Sequence, residues 1–316
     1  MNPPPQVTWL LPVLNGMPYI LETLASIATQ TFREFEVIAW DNGSTDGTVE
    51  VLHAWIPHQL PGRVITGHPL DLGACLGEMV KMSSSPFCAR IDADDINLPG
   101  RLSAQVAFLE GNPNVVAVGT QVREMDCTGV LGGLYKQLPL IHEAIAVRLL
   151  RRWSLWHPTV LFRREAVLRA GNYLDERPVE DYSLWLRLAR VGRLANLPTI
   201  LVNYRVHESS VTERAIREGI LQDRIAGCVT RHGAPLYGLD APAIKRVLGG
   251  SRLRPSELVS VWSHLRLENA RFGALALALW RQEVRPYLTD ALRKVPASGV
   301  VLRTWRRVRR ASGRAK

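Results

Sequence analysis

The sequence predicts an α/β fold: a largely parallel sheet with helices on both faces. Two observations carry this expectation. Short, wholly apolar runs alternate with segments of helical periodicity, and acid-bearing turns fall directly behind such runs. Residues 7–14, VTWLLPVL, form the first strand. NGMP breaks the chain, and Ile20, Leu21, Leu24, Ile27 and Ala28 then recur three and four apart, as on one helix face. FEVIAWD, residues 35–41, is the second strand, and NGSTDGT turns it into a helix through VEVLHAWI. Residues 63–67, 87–91 and 115–119 supply further strands, with helical patterns between them. EDYSLWLRLARVG reads as an amphipathic helix with Tyr182, Trp185, Leu188 and Ala189 inward. From about residue 208 strand patterns give way to amphipathic helical segments such as PSELVSVWSHLRLENARF. The expected organisation is a main domain over residues 1–220, a helical C-terminal region over 221–300 and a basic tail over 301–316.

Composition narrows the function classes. The chain of 316 residues carries a net charge of +10, which invites a nucleic-acid reading. Residues 303–316, RTWRRVRRASGRAK, hold six Arg and one Lys and no acid, so +7 of that charge sits in the tail and only +3 elsewhere. That distribution argues against a uniformly basic binding face, and no nucleic acid is expected as a partner. No stretch approaches the ~20 apolar residues of a membrane span. MNPPPQVTW has neither the basic start nor the apolar core of a signal peptide, so a cytoplasmic protein is expected. Cys75, Cys88, Cys127 and Cys228 form no CxxC, which favours buried reduced thiols over a zinc site.

Sheets of this kind bind ligands beyond the carboxyl ends of their strands. Two acidic turns lie there: Asp41 ends one strand, and Asp92, Asp94 and Asp95 of RIDADDINLPGR end another. Alone, DNGSTDGT is explained by turn chemistry and helix capping. Alone, DADD has two readings. It is a solvated acidic turn capping a helix that starts at Pro99, or it is a metal site. In the second reading Asp92 and Asp94 converge on Mg²⁺ or Mn²⁺, with Asp95 auxiliary and the ion in turn holding a diphosphate.

The ordered series PVLNG, SIATQTFREFEVIAWDNGSTDGT, RIDADDINLPGRLSAQVAFLEGNPNVVAVGT, HPTVLFRREAVLRAGNY, EDYSLWLRLA and YRVH resembles the family 2 glycosyltransferases of the GT-A fold, over residues 7 to about 210. The resemblance implies a Rossmann-like sheet and inverting transfer of a sugar from a nucleoside-diphosphate sugar, with a divalent metal (Mn²⁺ or Mg²⁺) as cofactor. The expected acceptor is a hydroxyl of a surface polysaccharide or lipid-linked glycan. Pro12 and Asn15 of PVLNG, with Asp41 and Asn42, match the part that meets the nucleoside. Asp92 and Asp94 match the DxD that binds ribose and the metal-diphosphate, with Asp94 the stronger metal ligand. Asp181 matches the general base, supported by Glu180, and His207 stands where relatives often place a group near the metal or diphosphate, its other reading being a hydrogen-bonded histidine at a strand end. The roles suit the chemistry: a metal neutralises charge on the departing diphosphate, and a carboxylate takes the acceptor's proton. Leu14, Asn42, Asp71 and Gly77 depart from the family's usual residues. Asn42 both donates and accepts, so it can still read a base edge, but it leaves the base open.

Other residues keep two readings. Asp181 in a first helical turn is also favoured by the helix dipole. His157 before Pro158 reads as structural, Arg101 as a partner of the acidic turn, and Trp156 or Trp185 as acceptor-bordering or packing residues. The tail places Val301, Trp305 and Val308 at helical spacing among arginines. That pattern suits peripheral contact with the cytoplasmic face of the inner membrane or a solvated tail, with RNA binding a third and weaker reading. Two other activities fit the fold: a catalytically silent nucleotide-sugar or glycan-binding scaffold, and a sugar nucleotidyltransferase. The second needs a Gly-rich basic loop that PVLNGMPYI lacks.

Overall fold

The computed structural model describes residues 5–207, 215, 217–251 and 253–265. The basic tail, and the helical segments expected beyond residue 265, lie outside the described residues. Strand β1 (Val7–Val13) is buried at every position. It pairs in parallel with β2 (Phe35–Asp41) on one side, and on the other with β4 (Phe87–Arg90); β3 (Gly62–Ile65) extends the parallel sheet beyond β2. Helices α1 (Ile20–Ala28), α2 (Thr48–Trp55) and α3 (Leu72–Met82) make the crossovers. Side chains alternate between two cores: Trp9, Leu11, Val37 and Ala39 meet α1, α2 and α4 (Arg101–Gly111), whereas Leu10 and Ile38 meet α3 and the later helices.

Pro12 shows how closely the first strand is fitted. Leu10 faces β4, Val13 faces β2, and Pro12 therefore turns its missing N–H toward β4. The β1–β4 ladder ends at Leu10 and Arg90, at the point where the next bond would need the N–H that Pro12 lacks.

Past β4 the sheet becomes mixed. Strand β8 (Leu161–Arg163) runs antiparallel to both β4 and β6 (Val115–Met125), β6 runs parallel to β9 (Arg193–Arg205), and β5 (Ile96–Asn97) runs antiparallel to β9. The path is β3-β2-β1-β4-β8-β6-β9-β5, with β7 (Leu131–Tyr135) hung on β6. The parallel half is the one the apolar runs announce.

Between these strands lie α5 (His142–Arg148), α6 (Arg164–Arg169) and α7 (Glu180–Val191). The α7 helix is buried from Glu180 to Leu186, more than the single inward stripe its periodicity suggests. The reason is the C-terminal region. Helices α8 (Leu221–Cys228), α9 (Ala234–Tyr237), α10 (Ala241–Leu248) and α11 (Pro255–His264) cover its other side, so that Ile225, Val229, Tyr237 and Ile244 share one core with Trp185. Tyr237 donates its hydroxyl to the Ala146 carbonyl at 2.7 Å. Three cysteines are buried as expected, but Cys127 is exposed.

Candidate active site

Two loops at the carboxyl end of the parallel strands are stitched together. Asn15, at φ 52°, donates its N–H to Ser44 Oγ (2.7 Å) and accepts from the Thr45 N–H (2.9 Å). A left-handed backbone suits Asn because its short side chain bonds locally. Asp41, buried level with Val13, accepts from the Gly43 and Ser44 N–H groups at 3.0 and 3.1 Å. Gly43 (φ 97°) and Gly47 (φ 89°) supply the turns this loop needs. Asn42 is turned away from solvent chemistry: its amide accepts from the Leu70 N–H and donates to the Leu70 carbonyl, each at 2.6 Å. It therefore anchors the loop before α3, and a base edge would have to displace Leu70.

The acidic turn follows β4, and its geometry is set by β5. By pairing with Val202 and Asn203, β5 draws the end of β9 across the turn. Arg205 donates its backbone N–H to Asp95 Oδ1 (2.8 Å) and its Nε–H to the Asp94 carbonyl (2.9 Å). Two residues on, His207 Nε2 meets Asp94 Oδ2 at 2.7 Å. Carboxylate oxygens of Asp92, Asp94 and Asp95 lie within 4.8 Å of one another. Burial raises the pKa of Asp92 and Asp95, and for Asp95 the charges of Asp94 and Asp92 add to the rise. Arg90, buried directly before the turn, forms an ion pair with Asp92 that holds its guanidinium charged despite burial. The turn does not cap α4: that helix starts at Arg101, behind Gly100, which makes no side-chain cap.

These carboxylates fit a hard divalent cation. All three present oxygen donors, and Asp95 Oδ2 is buried with no hydrogen-bond partner among the described residues. His207 reaches the group through Asp94.

The second acidic pair opens α7. Asp181 Oδ1 accepts from the Tyr182 N–H (2.7 Å), and Oδ2 accepts from the Trp153 indole N–H (3.1 Å). Glu180 Oε2 has no hydrogen-bond partner among the described residues. Burial pushes both carboxyls above their ordinary range, and the neighbouring Asp181 charge pushes Glu180 further. Arg90 opposes the rise at Glu180 and Asp181 as it does at Asp92, so one buried guanidinium serves both acidic groups.

Arg90, Arg205 and Trp153 are residues the sequence reading passed over. Arg90 stands next to the DxD and Arg205 lies in YRVH, so adjacency was the available signal; nothing local points Trp153 at Asp181. Arg101 does not pair with the acids. It donates to the Arg90 carbonyl (2.8 Å), to Gln105 (3.1 Å) and to Asn97, and burial pushes its pKa down to about 9. Its guanidinium lies 4.9 Å over Trp9 and holds the strand end rather than the carboxylates. Trp185 is core packing. It is fully buried and edge-on to His157, which is itself bonded to the Tyr173 hydroxyl at 2.9 Å. Asp71 pairs with Arg177 at 3.2 Å, and the Gly77 carbonyl receives the Asn172 amide at 2.8 Å.

Comparison with known proteins shows the family and the fold. The profile described as glycosyl transferase family 2 matches residues 8–169. An uncharacterized glycosyltransferase of Haemophilus influenzae is 30% identical over 261 residues, covering 77% of this chain and 79% of that protein. The Escherichia coli UDP-Gal:alpha-D-GlcNAc-diphosphoundecaprenol beta-1,3-galactosyltransferase is 27% identical over 198 residues, covering 62% of this chain and 72% of that one. Among solved structures, the mannosyltransferase PcManGT from Pyrobaculum calidifontis, in complex with GDP-Man and Mn²⁺, superposes with a TM-score of 0.57. It does so at 19% identity over 89% of each chain, a likeness that shows the GT-A fold.

Proposed function

The chain belongs to glycosyl transferase family 2 and is a glycosyltransferase, and we propose that it moves a sugar from a nucleoside-diphosphate sugar to a hydroxyl of a polysaccharide or lipid-linked glycan, with inversion and with a divalent cation. One observation carries the reading. A three-carboxylate turn with an unpartnered buried oxygen on Asp95 occurs together with a second buried carboxylate pair, in which Asp181 is held by Trp153 and the Tyr182 N–H and Glu180 Oε2 is unpartnered among the described residues.

Asp94 and Asp92, with Asp95 and His207 behind them, would hold Mn²⁺ or Mg²⁺. When bound, such an ion neutralises charge developing on the leaving diphosphate. The chain's own residues do the rest. Asp41 and the Asn15 loop shape the nucleoside side, with Pro12 supporting that loop from β1. Asp181 takes the proton of the acceptor hydroxyl, its carboxylate oriented by Trp153 and the Tyr182 N–H. Glu180, raised by its own burial and by the Asp181 charge, stands beside the base. A single displacement at the anomeric carbon inverts its configuration. Support for the donor class comes from the GDP-Man and Mn²⁺ of PcManGT, and for a lipid-linked acceptor from the name of the Escherichia coli relative.

No helix of the described residues is long and apolar enough to cross a membrane. A cytoplasmic enzyme meeting the inner membrane through its basic tail is part of this proposal. So is a division near residue 220 between the main domain and a helical C-terminal region that packs into the same core, supported by the end of β9 at Arg205 and the start of α8 at Leu221.

The test is calorimetry of UDP-, GDP- and dTDP-sugars with Mn²⁺, with Mg²⁺ and with chelator. One donor is expected to bind in a metal-dependent way. Asp94→Asn should weaken that binding, and Asp181→Asn should leave it near wild type while slowing transfer roughly 10²–10⁴-fold. Equal loss of donor binding in both variants would overturn the roles.

A further inference from the structure

Three rings from distant parts of the chain meet beside the acidic turn. Tyr135 ends β7, Trp156 precedes the short 3₁₀ turn His157–Thr159, and Tyr204 lies on β9 one residue before Arg205. Their centroids form a triangle: Tyr135–Trp156 5.2 Å, Tyr135–Tyr204 5.9 Å and Trp156–Tyr204 6.0 Å. Tyr204 lies 26° from the plane of each of the other two, so the rings form a shallow tilted platform. All three are half-buried, whereas the core aromatics Trp9, Trp185 and Tyr182 are fully buried.

The platform is tied to both halves of the candidate centre. The Arg205 backbone clamps Asp95, and the Tyr204 hydroxyl feels the charges of Asp95, Asp92 and Asp94. At the other end, the loop that carries Trp156 also carries Trp153, whose indole N–H holds Asp181. An acceptor hydroxyl must lie between a donor on the acidic turn and a base at Asp181, so its sugar ring comes to rest along this loop. The chemistry of the patch suits a sugar. A pyranose presents a face of C–H groups that packs on the electron-rich face of an aromatic ring. The indole N–H of Trp156 is itself buried with no hydrogen-bond partner among the described residues, so the ring offers its apolar surface rather than its donor. Beside it, Lys136 lies 4.8 Å over Tyr135 and bonds its hydroxyl at 3.2 Å, which places a cation at the rim.

We propose that Tyr135, Trp156 and Tyr204 form the acceptor subsite, on which the pyranose ring that receives the new bond stacks. This rests on the glycosyl-transfer reading above. It assigns no proton transfer to the rings: they are positioning residues, and their effect is on acceptor affinity.

The probes are octyl α-N-acetylglucosaminide, octyl β-glucoside and octyl α-mannoside, titrated against the full-length protein by saturation-transfer NMR. At least one should bind, with saturation concentrated on the ring C–H protons. Trp156→Leu and Tyr204→Leu should each raise its Kd about tenfold, as expected when an aromatic contact is lost, and Trp156→Phe should recover most of the affinity. In the Leu variants the thermal midpoint and calorimetric donor binding should persist. Three results overturn the subsite: no glycoside binds the wild type, the Leu variants bind as tightly as the wild type, or the Leu variants lose donor and glycoside binding together, the mark of simple packing. The glycosyl-transfer reading fails by a different result, a wild-type protein that neither binds nor consumes any nucleotide sugar.

Discussion

Arg90 and Arg205 decide how three carboxylates tolerate one another in the turn between them. Arg90 compensates Asp92 through an ion pair, and Arg205 spends a backbone N–H on Asp95 and its side chain on the Asp94 carbonyl and on Glu22 (2.8 Å). Glu180 has no such partner for Oε2, and the consequence is measurable. Its folded pKa is raised by burial and by Asp181. The folded state therefore holds more protons than the unfolded chain between the ordinary carboxylate pKa and the raised one, and its stability falls as pH rises through that window. Glu180→Gln should remove this dependence and gain roughly 1–3 kcal/mol at pH 8, with little gain at pH 4, in paired thermal melts. A variant that tracks the wild type at both pH values would contradict the assignment. The same sign applies to catalysis. Because Asp181 is also raised, turnover should fall as pH drops through a pKa above the usual carboxylate range, and the profile of kcat against pH reads it directly.

At the level of elements, the decisive contact is between α3 and the segment leading into α7. A Cβ on Gly73 would lie 2.2 Å from the Leu174 carbonyl oxygen and 3.2 Å from Glu180 Cβ, so only glycine lets the first turn of α3 abut the candidate base pair. Gly73→Ala should lower stability by about 1–3 kcal/mol, as overpacking does, and should reduce turnover as well. Melts and initial rates check it. The first two strands and helices were legible because their signals are local: a run buried on both faces, a 3.6-residue period, an Asn-Gly turn. Strands β5, β7 and β8 were not. They have two, five and three residues, and only their ladders with β9 and β6 make them strands. Asn42 teaches the same lesson within a loop. Its donor and acceptor capacity could be read from its chemistry, but its engagement with Leu70, 28 residues away, is a product of the fold.

For the whole molecule, the two cores on either side of the sheet bind the C-terminal helices to the same structure as the site. Ile244 of α10 is fully buried in the core that contains Trp185 and Tyr182. Ile244→Ala should cost about 2–5 kcal/mol and shift one cooperative transition. A second, independent transition would instead mark residues beyond 220 as a separately folding unit. The sequence by itself determined the α/β class, the parallel half of the sheet, the family and the acidic turns, because each rests on residues adjacent in the chain or on an ordered set of short motifs. Only the tertiary structure decided that Arg90 serves both acidic groups, that Trp153 holds Asp181, that Arg101 supports the strand rather than the carboxylates, and that three aromatic residues meet beside the site. Those facts depend on which strands lie side by side. Short strands acquire their partners through burial and long-range pairing, which no local pattern encodes.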